Sequence, residues 1–302
     1  GILALDVTPT FTSRPLKASE TVVFVAHGLV GGSHDSYVRA ALAHLSADRS
    51  QGGLGMRAIV MNSRGCNHSP VTTPKLYHAG ATDDIRHAML WIAKTFPDSP
   101  VYGLGFSLGA NLLTKYVGEE AESCPLSAAV SIANPFDFVA VSKNVESFNK
   151  RIYNFAMGNA ARALLARHRK VFEDSITISR DALDGFLKKR FVVLRDFDTA
   201  ITAPVFGFAH PLEYYATVSS ARFMSRIRIP FLGLNAADDP ILGPDTLPLG
   251  DAYTNPWILL VRTQQGGHLG WFEAGSDGTL RRWFVKPVSE FLTALLEVCS
   301  LS

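Results

Sequence analysis

The chain of 302 residues has only three cysteines, Cys66, Cys124 and Cys299, with no C-x-x-C pair and no spacing of a disulfide framework. That excludes a small cross-linked scaffold and points to a reducing compartment such as the cytoplasm. No apolar run approaches the ~18–20 residues of a membrane-spanning helix, so the chain contains no membrane span. Blocks of like charge are missing as well: 29 Lys and Arg nearly balance 27 Asp and Glu, for a formal charge of +2. The longest basic run, RHRK at 167–170, reads as a solvated helix end. Neither a nucleic-acid groove nor a polybasic membrane patch is suggested. The nine histidines show no ligand spacing such as H-x-x-x-H, so no metal is assigned, and no cofactor is required. The chain starts at Gly1 rather than Met, which leaves room for an anchor or targeting segment ahead of it.

What is present is an ordinary globular composition, 47% hydrophobic and 19% charged. Apolar runs at residues 21–26 (TVVFVA), 57–61, 101–105, 128–132, 230–235 and 257–261 alternate with segments of helical period at 37–45, 82–96, 108–117 and 288–298. That alternation predicts a mostly parallel sheet flanked by helices, an α/β architecture. Thr82, Asp83 and Asp84 open the second helix, where they read as its cap. From 136 to 229 the rhythm stops. Helical patterns at 153–168 and 180–188 precede the loop-like TAITAPVFGFAHPLEYY (199–215). An interval of this size between two strands reads as an inserted helical cap, dividing the chain into core (1–135), cap (136–229) and core (230–302). Such a cap would roof the strands' C-terminal edge, with Phe155 and Phe206 setting the shape of the pocket.

The stretch VYGLGFSLGAN (101–111) places Ser107 between Gly105 and Gly109, where a strand candidate turns into a helix candidate. A serine on such a tight turn is a nucleophile elbow, and the glycines leave room for the adjoining backbone. A hydroxyl attacks only when a base takes its proton, and a carboxylate must orient that base. His268, in QQGGHLGW after the last strand candidate, has the address of the base. NAADDPI offers Asp238 and Asp239 for the acid; the D-P-I run favours Asp239, leaving Asp238 to hold the turn. Two backbone N–H groups should receive the oxyanion, those of Leu108 and of Leu29 in the HGLVGGS loop, with His27 fixing that loop.

HGLVGGSHDSYVR, NSRGC, YHAGATDDI, GFSLGAN, NPFD, APVFGF, NAADDPI and GGHLGW occur in order from His27 to Trp271. With them the chain resembles the α/β-hydrolase superfamily, in particular the YheT-like group that includes the α/β-hydrolase-domain proteins 1 and 3 and the fungal medium-chain ethanol O-acyltransferases. The resemblance implies an α/β-hydrolase fold with a helical cap, the triad Ser107, Asp239 and His268, and a small-molecule ester or acyl substrate. Two departures stand out. Asn67 and His68 follow Cys66 where the family commonly has a small residue, which would reshape the pocket rim, and the family's early strands are largely missing ahead of the HG loop. Three functions follow: an ester hydrolase working through an acyl-enzyme, an acyltransferase in which an alcohol intercepts it, and a silent binding protein. The last gains nothing from five catalytic groups.

Overall fold

A computed structural model describes residues 1–243 and 246–301, with side chains described as far as Glu297. Cys299 therefore lies outside the described side chains. The strands are β1 (Ala4–Thr8), β2 (Val22–Ala26), β3 (Arg57–Asn62), β4 (Val101–Phe106), β5 (Ala128–Ile132), β6 (Phe231–Ala236), β7 (Ile258–Thr263), β8 (Phe272–Ala274) and β9 (Leu280–Arg282). Helices α1 (Ser36–Leu45), α2 (Thr82–Thr95) and α3 (Leu108–Glu120) lie among the early strands. Between β5 and β6 come α4 (Phe138–Glu146), α5 (Arg151–Arg167), α6 (Arg169–Phe172), α7 (Arg180–Leu187), α8 (Leu194–Phe197), α9 (Ala203–Phe206) and α10 (Pro211–Val218). Helices α11 (Leu249–Thr254) and α12 (Val285–Leu301) follow.

Seven strands form one sheet in the order β1-β3-β2-β4-β5-β6-β7. All neighbours are parallel except β1, which pairs antiparallel to β3. Strands β2 to β6 are buried at every residue because helices cover both faces. Val23, Val25, Leu104, Val130 and Leu234 pack with α1 and α12; Val22, Phe24, Ile59, Ala129 and Phe231 pack with α2 and α3. Each such side chain contributes roughly 1.5–3 kcal/mol by leaving water.

Strand β1 supplies the edge that the sequence lacked any clear signal for: its residues are only half-buried, so apolar content does not mark it. Behind it, the fully buried Arg57 forks onto Glu20, with contacts of 2.7 and 2.6 Å, and also donates to the Pro9, Thr10, Arg14 and Pro15 carbonyls. The capping expectation for α2 needs correcting. Its N-cap is Ala81, without a side-chain bond; Thr82 donates to Glu119, and Asp84 receives a forked contact from Arg64.

The loop-like 199–215 segment is helical instead. Pro204 and Pro211 each sit in a first turn, where the missing N–H is harmless, and His210 caps α10 by accepting from the Glu213 N–H. The outer helices bury Ala161, Leu164, Leu165, Leu183, Phe186 and Phe197 together with Cys66, Val71 and Leu76 from the loop after β3. Met224 and Ile227, by contrast, join the sheet-side core beneath α3. Fully buried Asn111 on α3 donates to the Ala79 and Val218 carbonyls and accepts from the Ser220 N–H. Asn134, also buried, bridges Thr114 to Ser131.

Candidate active site

Ser107 lies between the last residue of β4 and the first of α3 with φ 51°, a left-handed conformation forced by the sharp reversal. The flanking glycines make that reversal possible. A Cβ on Gly105 would stand 2.6 Å from the Ala110 Cα, and one on Gly109 would meet the backbone of Ala26 and His27. Ser107 Oγ lies 2.8 Å from His268 Nε2, and His268 Nδ1 lies 2.8 Å from Asp239 Oδ2. The Asp239 side chain is fully buried, and its other oxygen accepts from the Ile241 and Leu242 N–H groups at 2.8 and 3.1 Å. A carboxylate can only accept, so Nδ1 carries the ring proton and Nε2 faces the serine with its lone pair. Asp238 is exposed and accepts from the Gly267 N–H at 2.8 Å, bracing the loop that presents His268.

The HG loop after β2 is held on several sides. Gly28 N–H donates to the Tyr37 hydroxyl, which donates to Asp35; Gly32 N–H also reaches Asp35, and Val30 N–H reaches the Tyr77 hydroxyl. Gly31 N–H bonds the Gly28 carbonyl. Buried His27 accepts from the Ser63 N–H through Nε2 and donates from Nδ1 to the Gly28 carbonyl; burial lowers its pKa and keeps it neutral. Leu29 N–H has no acceptor within this loop. Leu108 N–H opens helix α3 and has no acceptor within it. Leu29, Leu108 and Ser107 border one cavity.

That cavity spans about 580 Å³ of empty space, part of it open to solvent, and is mainly apolar, with Phe138, Val141, Val145, Met157, Ile241 and Leu242 in its wall. A second lobe of about 510 Å³ shares Leu29, Leu108, Phe138, Leu194 and Tyr215 with it and continues to His78 and Asp198. Burial pushes Asp198 up to about 6, although Thr202 and Tyr215 both donate to it. Burial, helped by the Lys115 charge, brings His78 down to about 4.

Phe155 and Phe206 do not reach either lobe: Phe155 packs on Phe191, and Phe206 on His78. One helical position decides this, since Asn154 and Met157 face inward on α5. Asn67 is not on the rim either; it ties Asp6, Ser33 and Asn62 together behind the HG loop. Of the α4 wall residues, Phe138 is one of the aromatics that the composition offers for an apolar pocket, whereas Val141, Ser142 and Val145 escaped the sequence reading, yet a signal was there. Asp137 caps α4 by accepting from Val139 and Ala140, and Phe138, Val141, Ser142 and Val145 then recur at helical spacing. Among the described residues, no three or more His, Cys, Asp or Glu side chains come together as a metal-ligand group.

A family model described as alpha/beta hydrolase fold matches residues 21–274. The chain belongs to the α/β-hydrolase family. This α/β-hydrolase is 38% identical over 91% of its length to a monoacylglycerol lipase of Saccharomyces cerevisiae, covering 59% of that protein. It is 33% identical, over 92% of its length, to the medium-chain fatty acid ethyl ester synthase/esterase 2 of the same organism, covering 63% of it. It is also 30% identical over 91% of its length to the YheT protein of Escherichia coli, covering 77%. These relatives put it in the YheT-like group. The chain thus spans about three fifths of the length of the two yeast relatives. Among solved structures, Est1E of Butyrivibrio proteoclasticus aligns with a TM-score of 0.55 at 12% identity, covering 98% of this chain and 96% of that one; the likeness is one of fold.

Proposed function

We propose that this α/β-hydrolase cleaves carboxylic esters of hydrophobic acyl groups through an acyl-enzyme, with residues 136–229 serving as a cap on a core made of 1–135 and 230–302. The observation that carries the reading is the continuous Ser107–His268–Asp239 chain, with two contacts of 2.8 Å, at the wall of an apolar cavity. Ser107 Oγ attacks the ester carbonyl carbon and passes its proton to His268 Nε2, while Asp239 stabilises the imidazolium. The Leu29 and Leu108 N–H groups receive the oxyanion, each worth about 3 kcal/mol to the transition state. Collapse expels the alcohol, which takes the proton from Nε2. Water then repeats the sequence to release the acid.

The relatives named as lipase and as ester synthase/esterase support an ester-type substrate. The second of those names also supports acyl transfer, with an alcohol in the place of water. The test is a panel of nitrophenyl esters of increasing chain length, alongside labelling by a fluorophosphonate. Wild type should react with both and Ser107→Ala with neither. Near-normal turnover in Ser107→Ala would overturn the serine mechanism, and a wild type that never labels would make the chain a silent binder. Ethyl ester formed when ethanol is added would identify the transferase.

A further inference from the structure

We propose that the outer face of the 148–191 region docks on an anionic lipid bilayer surface. The apolar residues of that face lie close in the chain and across it. Ile152 and Phe155 share one side of α5, Phe148 lies in the 3-10 turn (Phe148–Lys150) that leads into it, and the Phe191 ring lies 6.0 Å from that of Phe155. Phe148 is 85% exposed, Ile152 72% and Phe191 63%. Three large apolar side chains this open on one patch are not covered by the chain's own packing.

Cations surround the patch. Arg151 stacks over Phe148 and Arg190 over Phe191, and Arg162 donates to the Leu187 and Lys189 carbonyls, which ties the 187–191 turn to α5. Residues 148–195 hold eleven Lys and Arg against four Asp and Glu, a formal +7 in a chain whose total is +2. The remainder is therefore net acidic. Arg169 is paired with Glu173 and Asp184, and Arg195 with Glu146, so the cations that serve the patch are those beside the open rings, Arg151 and Arg190, with Lys189 next to the latter. The sequence shows no block of five or six like charges because these cations are spread over three helices and the turns between them.

Aromatic and aliphatic side chains ringed by Lys and Arg match the boundary between anionic headgroups and acyl chains, where the rings enter and the cations stay at headgroup level. A protein partner would need acidic complementarity of a defined shape, whereas Phe148, Ile152 and Phe191 line none of the described cavities and so offer no groove to hold one. Placement gives the docking a use. Asn154 and Met157, on the opposite side of the same α5, border the cavity at Ser107. A bilayer on the outer face would lie one helix diameter, ~10 Å, from that cavity.

The test is co-sedimentation of the wild-type chain with vesicles of phosphatidylcholine alone and of phosphatidylcholine with one-third phosphatidylserine. Two variants run beside it, one with Phe148→Ser, Ile152→Ser and Phe191→Ser and one with Lys189→Glu and Arg190→Glu. Binding should require phosphatidylserine, weaken as salt is raised, and drop about tenfold or more in either variant. Thermal midpoint and hydrolysis of a soluble short ester should stay at the wild-type level in both. Vesicle binding is read without turnover, so failure of the ester assay and failure of docking are separate results. No binding to anionic vesicles, equal binding to neutral ones, or binding that both variants retain would overturn the proposal. So would a dimer in solution that the triple substitution dissolves, because the face would then belong to a second copy.

Discussion

Asp239→Asn is expected to lower kcat/KM about 10⁴-fold, and the structure says why so small a change does so much. The asparagine must keep an oxygen toward the Ile241 and Leu242 N–H groups, which now donate to Asp239 Oδ1. Its NH₂ then faces His268 Nδ1, where Asp239 Oδ2 accepts at 2.8 Å. Nδ1 can only accept from an NH₂, so the ring adopts the other tautomer and presents an N–H to Ser107 Oγ. The serine loses its base, and the imidazolium loses the carboxylate that stabilises it. A 10⁴-fold loss corresponds to about 5.4 kcal/mol of transition-state stabilisation. Asp238→Asn keeps its oxygen for the Gly267 N–H at the exposed rim, so its effect should stay within about tenfold, the worth of one ordinary hydrogen bond. The assay is kcat/KM on a nitrophenyl ester, with urea unfolding to show both variants folded. A larger loss from Asp238→Asn, or an Asp239→Asn enzyme within tenfold of wild type, would refute the assignment.

Met157→Trp or Val145→Trp, which fill the cavity at Ser107, should shift preference toward shorter acyl chains, whereas Phe155→Trp should not; kcat/KM ratios for short and long esters measure this. Asp198 has its folded pKa raised by burial from 3.8 to about 6, so the folded state binds the extra proton, and its share of stability falls as pH rises from about 4 to about 6. Wild type should therefore lose on the order of 2–3 kcal/mol relative to Asp198→Asn across that window, and urea unfolding that gave a constant difference would contradict it. Arg57→Met leaves the buried Glu20 with only the longer contact to Arg14, at 3.8 Å, and should lower the unfolding free energy by about 3 kcal/mol, with no loss expected if the pair were dispensable.

Much of the architecture was legible because buried parallel strands read as short apolar runs, and β2 to β6 each fall within two residues of such a run. The site was legible for another reason. Gly105, Gly109, Gly266 and Gly267 mark places where backbone must pass close or bend, and chemistry-bearing residues sit beside them. Strand β1 and the β8–β9 hairpin were not legible, since the first is only half-buried and paired to a strand about 55 residues on in the chain, and the second is mostly exposed, so neither is marked by apolar content. The roof was misassigned because the faces of α5 are set by tertiary packing. Buried Gly158 accepts the close approach of the Val192 and Val193 backbone, and that contact turns Asn154 and Met157 inward and leaves Phe155 outside. Asp84 defeated the capping reading in the same way: its partner, Arg64, lies 20 residues earlier in the chain.

Asn111 makes the returning end of the 136–229 segment unlike its outer helices in mechanics. The returning chain at Val218 and Ser220 is fastened by directed hydrogen bonds to α3, one turn after Ser107. The outer helices meet the core chiefly by apolar packing on Cys66, Val71 and Leu76, joined by one bond from His168 Nε2 to the Gly65 carbonyl. Oily contacts permit small sliding, while three hydrogen bonds on a single buried amide fix a register. Any widening of the cavity is therefore expected to start at α5 to α8, like a flap sewn at both hems and free in the middle, with α4 held by the bonds from Asn144 to the Pro240 and Ile241 carbonyls and the turn at Ser107 staying still.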